Sequence, residues 1–165
     1  MKSNLNPLNL KIRADQKVYK KAKAIAYNYL SYRARSKGEV LSKLVSKNID
    51  KKFIDKILID LENEGLIDDI SFANNYINYC IKNKLYSKNI IQGKLKKFLI
   101  PESIIIKTLS QLYTYEIEIK ILKYLVQKKT KGIKKINSQD KSKLVNYFCK
   151  YGFDLDIIKD VIFEF

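Results

Sequence analysis

Apolar residues recur along this chain at three- and four-residue intervals, separated by short polar turns, and no strand pattern of any length appears. From Gln16 to Tyr32, the positions Val18, Ala22, Ile25, Ala26, Tyr29 and Leu30 follow a period close to 3.6 and predict a helix. Ser36 then stands three residues before Glu39, the spacing of a capping box. In that motif the Ser hydroxyl accepts the Glu backbone N–H, and the Glu side chain reaches back to the Ser backbone. It opens a second helix that runs to about Lys47, with Asn48 placed to take the left-handed conformation that ends helices. Asp50 is placed to cap a third helix, which stops at Gly65.

The same pattern returns further on. A shift of 51 residues carries Ser36 to Ser87, Val40 to Ile91, Leu44 to Leu95 and Ile49 to Ile100. Asp50 falls on Pro101, a residue suited to the first helical position. Ile54, Leu58 and Leu61 fall on Ile105, Leu109 and Leu112. A shift of 104 carries those three to Ile158, Ile162 and Phe165, Leu44 to Phe148, and Asn48-Ile49-Asp50 to Gly152-Phe153-Asp154. Ile57 maps to Thr108 and Val161.

Apolar and capping residues in register three times predict an all-α chain of three tandem three-helix, helix-turn-helix-like repeats. The expected divisions are a polar, flexible arm over 1–15, then repeats over 16–68, 69–113 and 114–165. A unit of about 45–50 residues has a small core, so neighbours are expected to stack into an elongated, curved array. On that array the cationic side chains are expected to form one continuous ribbon.

Charge changes the picture next. The chain carries 33 Lys and Arg against 17 Asp and Glu, a formal net charge of +16. A field of that size favours a polyanionic partner, either nucleic acid or an acidic protein surface. Only Arg13, Arg33 and Arg35 are arginine; Lys, Asn, Ile, Tyr and Phe are abundant, and all have A/T-rich codons. Codon bias is thus an alternative source of the lysines, although the electrostatics act whatever their origin.

Histidine is absent, so the usual general base and commonest metal ligand are missing. Cys80 and Cys149 lack close spacing and are expected to be small buried apolar residues, with no disulfide. Neither a Walker loop nor a dinucleotide-binding glycine motif occurs. Asp68-Asp69 reads as the N-cap and first-turn acid of the following helix. These features predict a protein that is not an enzyme and needs no metal or cofactor. No apolar run approaches the roughly 20 residues that span a bilayer, and no secretory leader is seen, so the expected location is the cytoplasm.

Binding remains. The candidate contacts are Tyr32, Arg33, Arg35 and Lys43 in the first repeat, and Lys94, Lys96 and Lys97 in the second. The third contributes Lys128, Lys129, Lys131, Lys134 and Lys135, five lysines within eight residues that read as a helix end followed by a mobile basic loop. Cations in a row suit phosphates, and tyrosines suit bases. The third helix of the first repeat, Lys51 to Glu64, alternates acid and base and ends acidic, which argues against sequence-specific reading of the major groove.

Several of these residues carry a family resemblance. Leu30-Ser31-Tyr32-Arg33-Ala34-Arg35-Ser36, Glu39-Val40, Lys43-Leu44, Ile54, Leu61, Gly65-Leu66-Ile67-Asp68-Asp69 and Phe72-Ala73 resemble the RecX regulators of the bacterial RecA recombinase. Ile90, Leu95 and Tyr151-Gly152-Phe153 with Ile157 and Ile158 fit the same pattern, which covers about residues 16–165. The chain departs from it at Tyr86-Ser87, where the family often has Gly-Pro, at Phe98-Leu99, where it often has Lys-Gly, and at Cys80, where arginine is common. The resemblance implies tandem three-helix repeats. It also implies a non-enzymatic modulator that binds RecA filaments on single-stranded DNA, lies in the filament groove and affects ATP hydrolysis, strand exchange and filament growth, usually by inhibition; a monomer is expected. Binding to DNA itself, single- or double-stranded, is implied for some members. The charge alone leaves two other readings open: a general nucleic-acid-binding module with no dedicated protein partner, and a helical adaptor for an acidic protein.

Overall fold

A computed structural model describes residues 7–131 and 136–164, and every regular element among them is helical. Three helices come first: α1 (Pro7–Leu30), α2 (Lys37–Ser46) and α3 (Lys51–Asn63). Then follow α4 (Asp69–Tyr79), which passes into a π-helical turn over Cys80–Lys84, α5 (Lys88–Lys97) and α6 (Glu102–Leu112). The last three are α7 (Tyr115–Lys129), α8 (Ser138–Lys150) and α9 (Leu155–Phe163). The chain divides into two compact units, one up to Phe72 and one from Ala73 on.

In the first unit α1, α2 and α3 all touch one another. Their shared core holds Ala22, Ala26, Val40, Leu44, Ile57 and Leu61, each wholly withdrawn from solvent. Two alanines on α1 let the other helices approach closely. Val18, expected on the same stripe, is exposed, and Tyr19 packs against the core in its place. The apolar face drifts around the helix because four residues overshoot one turn. A second correction concerns the arm: α1 starts at Pro7, so residues 7–15 are helical. Proline fits the first helical position, and nothing between Pro7 and Leu30 breaks a helix.

The turns explain the boundaries. Ser36 Oγ accepts the Glu39 N–H at 3.0 Å, and Glu39 accepts the Ser36 N–H at 3.2 Å, completing the capping box. Ser87 caps α5 likewise, by accepting from Ile90. Asn48, Leu99 and Gly152 occupy one register position and are all left-handed, with φ of 55°, 60° and 78°. Asp50, Pro101 and Asp154 follow them as N-caps. Pro101 therefore sits one place before the first helical position expected for it; φ −56° and ψ 137° set the chain's entry into α6. Asn137 caps α8, which has 13 residues against 10 in α2, one turn more at its start.

Within the second unit α5 packs on α6, and α9 on both α7 and α8. Ile91, Leu95, Ile105 and Leu109 are buried, as are their counterparts Leu144, Phe148, Ile158 and Ile162. Thr108, which stands where Ile57 does, buries its hydroxyl by donating to Ile104 O at 2.7 Å. Leu112 is half-buried, and Phe165 lies outside the described residues. Cys80 is buried as expected; Cys149 is exposed, because it falls on the outer face of α8, next to the buried Phe148.

Acids serve the N–H groups at helix starts. Asp68 caps α4, accepting from Ile70 and Ser71. Asp69 instead reaches back to the Lys37 N–H at 2.8 Å. Glu118 is buried next to the backbone N–H of Lys88, the register counterpart of Lys37. Burial raises the carboxyl pKa of both Asp69 and Glu118, and the backbone hydrogen bond opposes it. For Glu118 the folded-state pKa then exceeds the unfolded one, so the native state binds the proton more tightly. Its contribution to stability falls as pH rises from the ordinary glutamate range through the raised value. Glu118→Gln keeps an acceptor and removes the buried charge. It is expected to melt at or above wild type near pH 7 and to lose that advantage near pH 4, whereas Glu118→Ala melts lower at both. A Gln variant much less stable than wild type near pH 7 would reverse the assigned sign.

Candidate binding surface

In the first unit α3 does not offer its charged face freely. Its Asp60 accepts from Tyr19 Oη and, at 3.3 Å, from Lys23 Nζ. Its Glu64 accepts from Lys23 at 2.7 Å and Tyr27 Oη at 2.8 Å. The Lys23 ammonium, hydrogen-bonded first to Glu64, is held above the usual lysine pKa. Tyr19's hydrogen bond holds Asp60 below the carboxylate range, and Lys23's does the same for Glu64. The acidic end of α3 is thus a lock onto α1.

The four candidates of the first unit divide. Tyr32, at the turn after α1, is 83% exposed. Arg33 and Arg35 both bind Glu39 Oε1, at 2.6 and 3.4 Å. The helix-capping acid therefore also gathers the two arginines, a role that the capping-box pattern does not disclose. The Arg35 guanidinium lies 4.1 Å from the Tyr29 ring centroid, and Lys43 Nζ lies 5.3 Å from the same centroid. Tyr29 is the residue that brings Arg35 and Lys43 together.

In the second group Lys94 lies 5.1 Å from the Tyr86 ring centroid. Lys96 is paired with Glu102 at 2.8 Å, an exposed pair of small energetic value. Lys97 is exposed. Lys94 and the other two therefore stand in different environments, which their adjacency in sequence does not reveal.

In the third group Lys128 and Lys129 close α7, and Lys131 follows in the turn, all exposed. Lys134 and Lys135, and with them most of the expected basic loop, lie outside the described residues. Lys129 Nζ sits 3.6 Å from the Tyr147 ring centroid. Tyr147 stacks on Tyr151, with centroids 4.6 Å apart and planes at 30°. A concavity of about 400 Å³ is lined by Leu125, Lys128, Lys129, Tyr147, Phe148 and Tyr151. The neighbouring Tyr147 hydroxyl holds the Tyr151 hydroxyl above the usual phenol pKa.

Three of these cation–ring pairs share a register. Lys43, Lys94 and Tyr147 occupy equivalent positions on α2, α5 and α8, and each meets a partner of the opposite kind. Only in the third is the order reversed, with the lysine on the first helix of the group and the ring on the second. Tyr29, Tyr86 and Tyr147 are not among the sequence candidates, because tyrosine at helical spacing reads as core. A lysine at one register position in two repeats, replaced by tyrosine in the third, is the signal that could have found them.

Three-helix groups in tandem, with a cation–ring pair at the same register position of each middle helix, define a helical-repeat protein. Among the described residues no helix is long and apolar enough to cross a membrane, and no three His, Cys, Asp or Glu side chains are grouped to hold a metal. Comparison with known proteins narrows the class. The family model described as RecX, first three-helix domain, matches residues 22–61. The chain is 30% identical over 139 residues to the regulatory protein RecX of Finegoldia magna, covering 83% of this chain and 68% of that protein. It is 30% identical over 164 residues to that of Clostridioides difficile, covering 97% and 75%. The crystal structure of RecX from Lactobacillus salivarius superposes with a TM-score of 0.83 at 27% identity, covering 90% of this chain and 97% of that one. The chain belongs to the RecX family of regulatory proteins.

Proposed function

We propose that this chain regulates the RecA recombinase by binding its filament on single-stranded DNA, and that the effect is inhibition of ATP hydrolysis, strand exchange and filament growth. Membership of the RecX family carries this reading. The net charge of +16 supports it, since the filament presents phosphates and a steered approach raises the association rate. Tyr32, Arg33, Arg35 and Lys43, then Lys94, Lys96 and Lys97, then Lys128, Lys129, Lys131, Lys134 and Lys135 are the proposed contacts. Linked weak contacts at several repeats would give high affinity through effective concentration. The protein acts as a cytoplasmic monomer without catalysis of its own.

The test is RecA ATPase and strand exchange on single-stranded DNA, with this protein at substoichiometric ratio. Both rates are expected to fall. Unchanged rates reject the regulator reading. A general nucleic-acid binder, which the charge also suits, would bind bare DNA as tightly as the filament, with a steep loss on adding salt.

A further inference from the structure

The third group holds an arrangement that phosphate binding by its lysines would not need. Phe153, Phe148, Tyr147 and Tyr151 form a ladder of rings, with successive centroids 6.0, 5.1 and 4.6 Å apart. Its inner end is fixed, because Phe148 and Phe153 are 1% and 4% exposed. Its outer end, Tyr151, is 50% exposed. Tyr147 is engaged by both Lys129 and Tyr151, whereas Tyr151, at the end of the ladder, keeps half of its surface open to solvent. The backbone beneath Tyr151 is also held: Ser87 Oγ donates to Tyr151 O at 2.8 Å, and Asn89 Nδ2 donates to Gly152 O at 2.9 Å. Lys128 and Lys129 line the same concavity, and Lys150 adjoins Tyr151 in sequence at the end of α8.

A half-exposed ring on a rigid support, next to cations, suits one class of ligand: an unpaired nucleotide. The base stacks on the ring, and the flanking phosphates meet the ammonium groups. Duplex bases are already stacked on each other and cannot use such a face without unpairing. An acidic peptide would use the lysines and leave the ring idle. We infer that Tyr151, supported by Tyr147 and flanked by Lys128 and Lys129, is a stacking site for one base of a single-stranded nucleic acid. The inference rests on the nucleic-acid side of the proposed function and assigns it to a place. Stacking tolerates any base, so the site carries no sequence preference.

The test uses the whole 165-residue chain without RecA. Fluorescence anisotropy measures its affinity for a labelled oligo(dT), for the same oligonucleotide with abasic sugars, and for oligo(U). Wild type is expected to bind oligo(dT) about tenfold more tightly than the abasic strand. Tyr151→Phe keeps the ring and should bind within about twofold of wild type, while Tyr151→Leu should lose about tenfold for oligo(dT) and nothing for the abasic strand. Lys128→Gln should weaken both strands alike and flatten the salt dependence. Comparable binding of oligo(U) assigns the site to single strands in general; loss on oligo(U) assigns it to DNA. Equal affinity of wild type and Tyr151→Leu for oligo(dT), or of wild type for the base-bearing and abasic strands, overturns the site. So does full binding with an acidic peptide as the better competitor. These outcomes are separate from the regulator reading, which is decided by RecA activity, and unchanged binding of the abasic strand by Tyr151→Leu excludes loss of fold as the cause.

Discussion

Phe148→Ala is expected to lower the unfolding free energy by about 3–5 kcal/mol, and Leu44→Ala by about 2–5 kcal/mol. Phe148 is 1% exposed and makes edge contacts with both Tyr147 and Phe153. Leu44 is wholly buried among α1, α2 and α3. The two residues occupy one register position in different compact units, so the pair tests the repeat and not just one core. Each truncation forfeits the transfer energy of the lost carbons and leaves a cavity that its neighbours fill only in part. Lys131→Ala, at an exposed turn, is the control and should stay within about 0.5 kcal/mol. Urea unfolding of the three variants reads the result. If Leu44→Ala and Phe148→Ala both melt like wild type, the shared register is wrong.

The register was legible because two independent constraints fall on the same positions. Burial demands an apolar residue at Val40, Ile91 and Leu144, and helix ends demand special residues at Ser36, Asn48, Asp50 and Gly65. Capping chemistry is local, so sequence reports it well. The start of α1 was less legible. Leu8, Leu10 and Ile12 are exposed, so no core stripe marks residues 7–15 as helical, and their polarity reads as an arm. Cys149 was misplaced for a related reason: the residue type predicts burial, but its neighbour Phe148 already occupies the inward face.

The candidate surface was legible as charge and not as geometry. Counting lysines identified Lys43, Lys94 and Lys129, but the rings that hold them come from other helices or turns. Such pairs need a fold before they can be seen. Asp69 and Glu118 belong to the same class, since each serves a backbone N–H more than 25 residues away in sequence. Charge pairing also subtracts from the sequence estimate. Arg33, Arg35 and Lys96 each have a carboxylate partner, so a polyanion must displace or share these pairs before it uses them.

Leu99 and Gly152 share a left-handed backbone and should respond to substitution in opposite directions. Gly152→Ala is expected to cost at least about 2 kcal/mol, of which the backbone accounts for about 1–2 kcal/mol. The rest is steric: a Cβ at Gly152 would lie 2.9 Å from Ser87 Oγ and 3.3 Å from Ile90 Cγ1. Ser87 cannot yield easily, because it caps α5 and also donates to Tyr151 O. Leu99 already carries the backbone penalty at φ 60°, and its side chain is 51% exposed. Leu99→Gly therefore loses little burial and relieves strain, for a gain of up to about 1 kcal/mol after the added freedom of the unfolded chain is subtracted. Gly65 separates the two causes, since it is left-handed at φ 68° with open space around its would-be Cβ. Gly65→Ala should cost the backbone part alone, about 1–2 kcal/mol. Urea midpoints for the three variants give the order Leu99→Gly, wild type, Gly65→Ala, Gly152→Ala from most to least stable. Equal losses at Gly65 and Gly152 would show that the close approach of Ser87 to the α8–α9 turn contributes nothing.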